Sequence, residues 1–285
     1  MFPASFEYHR AGSSQEALDL LARHPDAKLL AGGHSLLPMM KLRLAQPPAV
    51  IDIARIPELS GIELEGGTIR VGAATRHAEI AASETLKEHC PILAEAAAHI
   101  GDPQVRNRGT LGGNIAHADP ASDLPAVLVA LDAAVDLLGP SGARQVRAAD
   151  FFVGLLETAL GDDELITAVH VPFFASGTGT AYLKAEHPAS GYAVCGAAAV
   201  VTLSGGSCSG ASLAFNGVGE TAVAASAVTT TLLGGSLDDA AIDDAVGTLL
   251  SVADPLGDVY ASGEYRVQLA KVYGARALKT ARDRA

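Results

Sequence analysis

The pattern of apolar and polar residues predicts helices and strands in alternation at the start of the chain. Residues 13–24 (SSQEALDLLARH) carry apolar side chains at helical spacing, and Ser13 precedes Glu16 by three residues, as in a capping box. The apolar run KLLA, which ends just before Gly32, and AVIDIA at 49–54 predict two strands. The opening segment is therefore expected to mix helix and sheet.

The same alternation continues from residue 60 to about 172. TIRVGAA predicts a strand, Thr75 is expected as a helix N-cap, and ETLKEHCPILAEAAAHI predicts a helix interrupted at Pro91. DLPAVLVALDAAVDLLG mixes a helix with a strand, and DELITAVHVPF predicts one more strand, which Pro172 closes. This segment is thus expected to be another unit of strands and helices.

A change in composition predicts a domain boundary after this segment. The stretch ASGTGT at 175–180 is small, flexible and polar. Beyond it, AYLKAE and the run from Tyr192 to Val218 predict three strands, the last two joined by a glycine-serine turn. Residues near 238–252 and 262–283 predict helices, so the C-terminal part is expected to be an α+β unit.

Composition excludes several classes of protein. The 285 residues, 49% of them hydrophobic, suffice for one large or two to three small domains. A formal net charge of -12 would repel nucleic acids and anionic membranes. Cys90, Cys195 and Cys208 form no close pair, so no disulfide framework and no metal site is predicted. The first residues lack the order of a secretory signal, and no apolar run reaches about 18 residues, so we expect a cytoplasmic protein.

The first candidate binding segment is the glycine loop that follows the KLLA strand, with the sequence AGGHSL. Its glycines leave backbone N–H groups accessible to an anion such as a diphosphate. A tight turn that only needs positive φ is an equally simple interpretation of a glycine pair after a strand. The segment consists of Ala31, Gly32, Gly33, His34, Ser35 and Leu36.

The second candidate is the glycine loop at 109–114 (GTLGGN), which is followed by His117, Asp119, Ser122 and Asp123. A carboxylate accepts hydrogen bonds from sugar hydroxyls and repels phosphate oxygens, so Asp123 or Asp119 suits a nucleotide sugar. Alternatively, Asp119 is a turn residue before a proline and Asp123 a helix N-cap. The sequence contains neither G-x-G-x-x-G nor a phosphate-binding GKS/T loop, and no H-E-x-x-H or G-x-S-x-G motif for hydrolysis.

Three long motifs together identify a family. AGGHSLLPMMKLRLAQP, RNRGTLGGNIAHADPASDLPAVLVAL and YLKAEHPASGYAVCGAAA closely resemble the FAD-binding medium subunit of carbon monoxide dehydrogenase-type molybdenum hydroxylases, whose relatives include the flavin domain of xanthine dehydrogenase. The resemblance runs nearly end to end, with the motifs in order. It implies an oxidoreductase with an α+β fold, in which a two-subdomain FAD-binding domain of the vanillyl-alcohol-oxidase-like (PCMH) type precedes a smaller C-terminal α+β domain.

The resemblance also implies domain limits and site residues. The FAD-binding domain would span 1–176, with subdomains of about 1–59 and 60–176, and the C-terminal domain 177–285. The backbone of the first loop would hold the FAD diphosphate together with the backbone of the second, Asp123 would bond a cofactor hydroxyl, and Ile166 would touch the cofactor. The second-loop residues are Thr110, Leu111, Gly112, Gly113 and Asn114.

Two residues of the third motif are further candidates. Lys184 matches a lysine near the flavin in this family, where a cation would stabilise the negative charge that develops on reduction. The alternative for Lys184 is a solvated surface lysine. Tyr192 would shield a flavin face, unless it is an ordinary sheet or core tyrosine. We predict no catalytic residue and no metal ligand on this chain.

The resemblance assigns substrate oxidation to a large subunit with a molybdenum cofactor, and [2Fe-2S] clusters to a small subunit. The scattered cysteines agree with clusters on another chain. The chain would take electrons from those clusters and pass them to a terminal acceptor, within a dimer of heterotrimers. The alternatives are a stand-alone FAD-dependent oxidase or dehydrogenase, and a non-catalytic flavin-binding assembly subunit. No convincing acid–base pair supports the stand-alone enzyme.

Overall fold

A three-stranded parallel sheet begins the fold. In the computed structural model, which describes residues 1–174 and 176–285, its order is β1-β3-β2. The strands are β1 (Glu7–Arg10), β2 (Lys28–Leu30) and β3 (Ala49–Asp52), connected by α1 (Ser14–Arg23) and α2 (Leu36–Lys41). The two predicted strands, β2 and β3, and the first helix agree with the sequence prediction, and the Ser13 hydroxyl accepts the Glu16 N–H at 3.1 Å. Strand β1 and helix α2 were not predicted.

A five-stranded antiparallel sheet forms the second unit, in the order β4-β5-β10-β6-β7. A short β8-β9 hairpin lies beside it. The 3-10 turn Pro57–Leu59 leads into this sheet. The strands are β4 (Ile62–Glu65), β5 (Thr68–Gly72), β6 (Ala134–Gly139), β7 (Gly142–Arg147), β8 (Phe152–Gly154), β9 (Glu157–Thr158) and β10 (Leu165–Pro172).

Short helices cover one side of this sheet and close its core. The predicted break at Pro91 is confirmed, since one helix ends at His89 and the next begins at Pro91. Thr75 is not an N-cap: Arg76 holds that position, and the Thr75 hydroxyl bonds the Gly61 backbone at 3.0 Å. The helices are α3 (His77–Ala82), α4 (Glu84–His89), α5 (Pro91–Ala98), α6 (Pro103–Arg106), α7 (Leu111–His117), α8 (Asp123–Ala130) and α9 (Ala148–Phe151).

The C-terminal unit is an antiparallel sheet with helices packed on it. Its strands are β11 (Thr178–Glu186), β12 (Ala193–Ser204), β13 (Ser207–Asn216) and β14 (Val223–Ala224). The helices are α10 (Ser226–Leu232), α11 (Asp239–Leu249) and α12 (Gly263–Asp283). The three predicted strands and two predicted helices are present, whereas β14 and α10 were not predicted. The predicted boundary stretch starts at residue 175, which lies outside the described residues.

The C-terminal sheet packs directly on the second unit. Tyr182, Ala198 and Ala214 share one buried apolar cluster with helices α5 and α8. At the end of the chain, the Arg284 guanidinium donates to the Glu95 carboxylate at 3.1 Å and to the Thr180 carbonyl. In the described residues, no helix combines the length and apolarity needed to cross a membrane. The observed mixture of helix and sheet confirms the predicted α+β class.

Candidate cofactor site

A cavity of about 820 Å³ lies where the three units meet. This volume is in the upper part of the ~300–1,000 Å³ range of small-molecule and cofactor sites. Its wall combines the ends of strands β2 and β5, both glycine loops, the segment from Leu156 to Glu164, and the loop that leads to Tyr192. Thirteen of the fifteen candidate residues line it: Ala31, Gly32, Gly33, His34, Ser35, Leu36, Thr110, Gly112, Gly113, Asn114, Asp123, Ile166 and Tyr192.

The first glycine loop presents unused backbone donors to the cavity. The N–H groups from Gly32 to Leu36 donate to no acceptor within residues 1–174 and 176–285. Gly33 has φ +75°, in the left-handed region that glycine adopts without strain. Successive free N–H groups along a concave backbone form a binding site for an anion. The first loop therefore has the donors that a diphosphate needs.

In the second glycine loop, most backbone N–H groups are already hydrogen-bonded within the protein. Our expectation of accessible backbone donors in this loop is therefore wrong. Four of its N–H groups already bond the protein, because α7 begins inside the loop and β5 runs beside it. Leu111 donates to the Thr75 carbonyl (3.0 Å), Gly112 to the Ala73 carbonyl (2.7 Å), Gly113 to the Thr110 hydroxyl (3.1 Å) and Asn114 to the Thr110 carbonyl (3.0 Å). Leu111 itself is fully buried and does not line the cavity.

The glycines of the second loop serve close packing. A Cβ at Gly112 would lie 2.6 Å from the Ala73 Cβ, and a Cβ at Gly32 of the first loop would overlap the Arg108 carbonyl oxygen. Gly32 must therefore lack a side chain for the two loops to approach each other, and Gly112 must lack one for the second loop to pack on the segment after β5. Gly113 differs, since an added Cβ would meet only the Thr110 hydroxyl (2.9 Å) and the Ala31 side chain (3.9 Å). A larger residue at Gly113 would fill the space between the loops.

Asp123 is a buried carboxylate in a charged hydrogen-bond network. It is the first residue of α8, and Ser122, not Asp123, is the N-cap. Its Oδ1 accepts the Tyr182 hydroxyl at 2.6 Å and lies 3.0 Å from the Lys184 Nζ. Burial raises the pKa of Asp123, while Lys184 and Tyr182 act in the opposite direction. The network uses Oδ1, so Oδ2 is left as an acceptor at the cavity wall.

Lys184 lies behind the cavity wall. Its side chain is only 3% exposed, and Nζ donates to the carbonyl oxygens of His99 (2.8 Å) and Gly191 (2.6 Å) as well as facing Asp123. All three ammonium protons thus have protein acceptors, and a buried carboxylate balances the charge. The surface-lysine alternative is wrong. Lys184 holds three segments of the wall together, and its stabilisation of a reduced flavin stays a prediction.

The remaining candidates form the rim and floor of the cavity. Tyr192 is 45% exposed and directly follows Gly191, whose carbonyl accepts a bond from Lys184. The pKa of Tyr192 is raised, mainly by partial burial and further by the charges of Asp119 and Asp123. Ile166 is buried at the bulge of β10. The turn interpretation of Asp119 is supported, since its carboxylate accepts the Ala121 N–H at 2.9 Å. The side-chain amide oxygen (Oδ1) of Asn114 accepts the Ser122 hydroxyl at 2.8 Å.

Sequence reasoning missed several parts of the wall, among them a buried histidine and one long segment. One is His77, which is 2% exposed, lines the cavity and lies against Gly109. Burial lowers the pKa of His77 to about 4, so the imidazole is neutral at pH 7. The other is the segment Leu156–Glu164 after β8, which has no local motif. The signal available for His77 was a histidine in the short connection after a predicted strand, where α3 begins.

Comparisons with known proteins agree with this geometry. Residues 4–174 match the model of the FAD binding domain in molybdopterin dehydrogenase, and residues 180–281 match the CO dehydrogenase flavoprotein C-terminal domain. The chain is 44% identical to the carbon monoxide dehydrogenase medium chain of Hydrogenophaga pseudoflava over 99% of its length and 98% of the relative. It is 40% identical to the 6-hydroxypseudooxynicotine dehydrogenase complex subunit alpha of Paenarthrobacter nicotinovorans, covering 100% of this chain and 97% of that one.

A solved structure extends the likeness to three dimensions. Carbon monoxide dehydrogenase from Hydrogenophaga pseudoflava, in a form lacking the Mo-pyranopterin moiety, contains a chain with TM-score 0.97 and 45% identity, and each chain covers 100% of the other. Fold and site thus define a flavin-binding oxidoreductase protein. The chain belongs to the FAD-binding family of molybdopterin dehydrogenases. The free N–H groups of the first loop and the space beside Gly113 fit FAD as its cofactor.

Proposed function

We propose that this chain is the FAD-binding electron-transfer subunit of a heterotrimeric molybdenum hydroxylase. It would take electrons from [2Fe-2S] clusters on a small subunit and pass them to a terminal acceptor, while a large subunit with the molybdenum cofactor oxidises the substrate. The observation that carries the proposal is the cavity with its row of free backbone donors. It lies in a chain whose full-length relatives are named as dehydrogenase chains or subunits.

The first loop would hold the FAD diphosphate through the N–H groups of Gly32 to Leu36. Asp123 would accept a cofactor hydroxyl through Oδ2, and Lys184 would fix Asp123 and the Tyr192 loop in place. Thr110 would keep the second loop in shape, because its hydroxyl caps α7. Bound FAD supplies an exchange between one-electron and two-electron transfer. The protein holds the cofactor and excludes water from it, with Tyr192 and Ile166 as walls.

The same proposal assigns the limits of the units and the cellular setting. The FAD-binding domain would comprise residues 1–176, in subdomains of about 1–59 and 60–176, and the C-terminal domain 177–285. The trimers would pair as a dimer of heterotrimers. Cys90, Cys195 and Cys208 are buried and free, which supports a cytoplasmic location. Two relatives of similar identity to this chain are named for different substrates, carbon monoxide and 6-hydroxypseudooxynicotine. The choice of substrate would therefore belong to another subunit.

The placement between the loops is tested by Gly113→Val, with Gly247→Val as the matched control. Both glycines lie in helices, but Gly247 has open space around its Cα. FAD released by heat is quantified per chain, and its Kd is measured by flavin fluorescence. We expect at least about a tenfold weaker Kd for Gly113→Val and an unchanged Kd for Gly247→Val, because the valine fills the space between the loops. An unchanged Kd in both variants would refute the placement.

The electron-transfer role is tested by stopped-flow mixing of the FAD-loaded chain with the reduced iron–sulfur subunit of its complex. The loss of flavin absorption reports reduction. Rapid reduction is expected, followed by reoxidation when a quinone or NAD acceptor is added. A flavin that stays oxidised would overturn the role, whereas substrate turnover by the lone chain would favour the stand-alone oxidase.

A further inference from the structure

Three potential metal ligands meet at the edge of the first sheet, away from the cofactor loops. Glu7 and His9 stand two apart in β1, so both side chains point to the same face of the strand. His24 is the C-cap of α1, and the helix end brings it to that face. All three ligand atoms lie within 4.8 Å of one another. Across residues 1–174 and 176–285, this is the one group of three such side chains at that spacing.

The distances in this cluster fit a shared ion better than hydrogen bonds. The Glu7 Oε2 lies 3.4 Å from the His9 Nε2 and 3.7 Å from the His24 Nδ1. Good N–H···O bonds are about 2.7–3.2 Å long, so both contacts are stretched. Ligand bonds to zinc of about 2.0–2.2 Å in tetrahedral geometry separate two ligand atoms by roughly 3.3 Å. The two distances from Glu7 need closure by only a few tenths of an ångström, and the two histidine nitrogens lie within 4.8 Å of each other.

The charge and exposure of the cluster also suit a cation. Glu7 has contacts with no lysine or arginine in the described part of the chain, so its charge is not neutralised. The two imidazole rings are held 4.1 Å apart, with side chains 28% and 26% exposed, while the Glu7 carboxylate is accessible to solvent. The ligands are thus partly fixed by packing, and one side of the cluster is open for entry of an ion.

We propose that Glu7, His9 and His24 form a binding site for a divalent transition metal ion of the zinc class. Two imidazole nitrogens and one carboxylate oxygen are ligands that Zn²⁺ accepts, and water would complete the tetrahedron. The ion would tie the first strand to the end of α1. Because Leu21 and Ala27, on either side of His24, line the cavity, the site would also stiffen that part of its wall.

The test is a calorimetric titration of the full-length, FAD-loaded chain with Zn²⁺, after removal of any histidine tag. We expect one saturable site per chain. His9→Ala and His24→Ala should each weaken binding at least about tenfold, since each removes one of three protein ligands. His89→Ala is the matched control: His89 also faces a carboxylate, Glu88 at 3.8 Å, but lacks a second histidine. It should bind Zn²⁺ as wild type does.

A second measurement separates metal binding from damage to the fold. The thermal midpoint without metal should be similar in all four proteins, and added Zn²⁺ should raise it in wild type and His89→Ala only. The absence of a saturable site in wild type, or unchanged affinity in both His9→Ala and His24→Ala, would overturn the proposal. The FAD content, measured in parallel, would be unaffected by that failure, so the proposed function is judged separately.

Discussion

The two glycine loops face each other across one cavity, yet their backbones are in opposite states. With respect to the residues that the structure describes, the first loop keeps its N–H groups free from Gly32 to Leu36, whereas the second bonds those of Leu111 to Asn114 within the protein. Similar glycine-rich sequences therefore differ in structure: one leaves its donors available for the cofactor that we propose, and the other bonds its donors within the protein. A glycine pair in a sequence indicates close approach, but not which partner approaches.

The largest effect should follow from forcing the loops apart with Gly32→Ala. The added Cβ overlaps the Arg108 carbonyl oxygen, a backbone atom that cannot move without displacing the second loop. We expect a loss in the free energy of unfolding near 3 kcal/mol, the upper end of the usual cost of overpacking. FAD retention should be lost as well, because the free donors shift with the loop.

Urea unfolding and the FAD content per chain measure this effect. Gly247→Ala is the control, since that helical glycine has open space around it and alanine favours a helix. If Gly32→Ala keeps wild-type stability and its full FAD content, the loops do not depend on close approach.

His77, which lies beside the second loop, should give the next largest effect as a dependence of stability on pH. Its folded pKa is about 4, below the ordinary 6.5, so the unfolded chain takes up a proton first as the pH falls. The contribution of the neutral His77 to the free energy of unfolding is therefore fully present above pH 6.5, and it is lost progressively as the pH falls from 6.5 to 4. The shift corresponds to roughly 3 kcal/mol over that window.

The contribution of His77 is isolated by comparing wild type with His77→Gln, which cannot titrate. Urea unfolding at several pH values between 4 and 7.5 should show a steeper fall for wild type than for the variant. Parallel curves for the two proteins would mean that the imidazole is not held neutral beside Gly109.

Much of this fold could be predicted because local signals specify it. Ser13 caps α1 as the capping pattern indicated, and Pro91 divides two helices because proline cannot continue one. Helix α2 escaped prediction because its short sequence contains Pro38 and follows a glycine pair. The proline is tolerated since it stands in the first turn, where N–H groups have no helical partner.

The motifs indicated the residues that line the candidate cavity, but the contacts among them were not predictable. Thirteen of fifteen candidates line the cavity, whereas the bonds of Lys184 to His99 and Gly191 depend on tertiary packing of three distant segments. The same holds for the Leu156–Glu164 wall, which the β8-β9 hairpin brings to the cavity. No local pattern encodes such contacts.

The smallest expected effect concerns the hydroxyl at the start of the helix in each loop. The Thr110 hydroxyl accepts the Gly113 N–H, whereas Ser35, at the N-cap of α2, makes no side-chain cap bond. Thr110→Ala should therefore cost about 1 kcal/mol of unfolding free energy, as the loss of a cap usually does. Ser35→Ala should change it by less than about 0.5 kcal/mol, as expected where no protein bond is lost.

Thr110→Ala should cost more unfolding free energy than Ser35→Ala, but Ser35→Ala should cost more FAD affinity. Ser35 lines the cavity among the free donors, so we expect its hydroxyl to be available to the cofactor, whereas the Thr110 hydroxyl already accepts a hydrogen bond in the helix. Urea unfolding of the FAD-free chain and fluorescence titration with FAD give the two quantities for each variant. If Ser35→Ala costs as much unfolding free energy as Thr110→Ala, the hydroxyl of each loop bonds within the protein. The two loops would then differ only in their backbone hydrogen bonds.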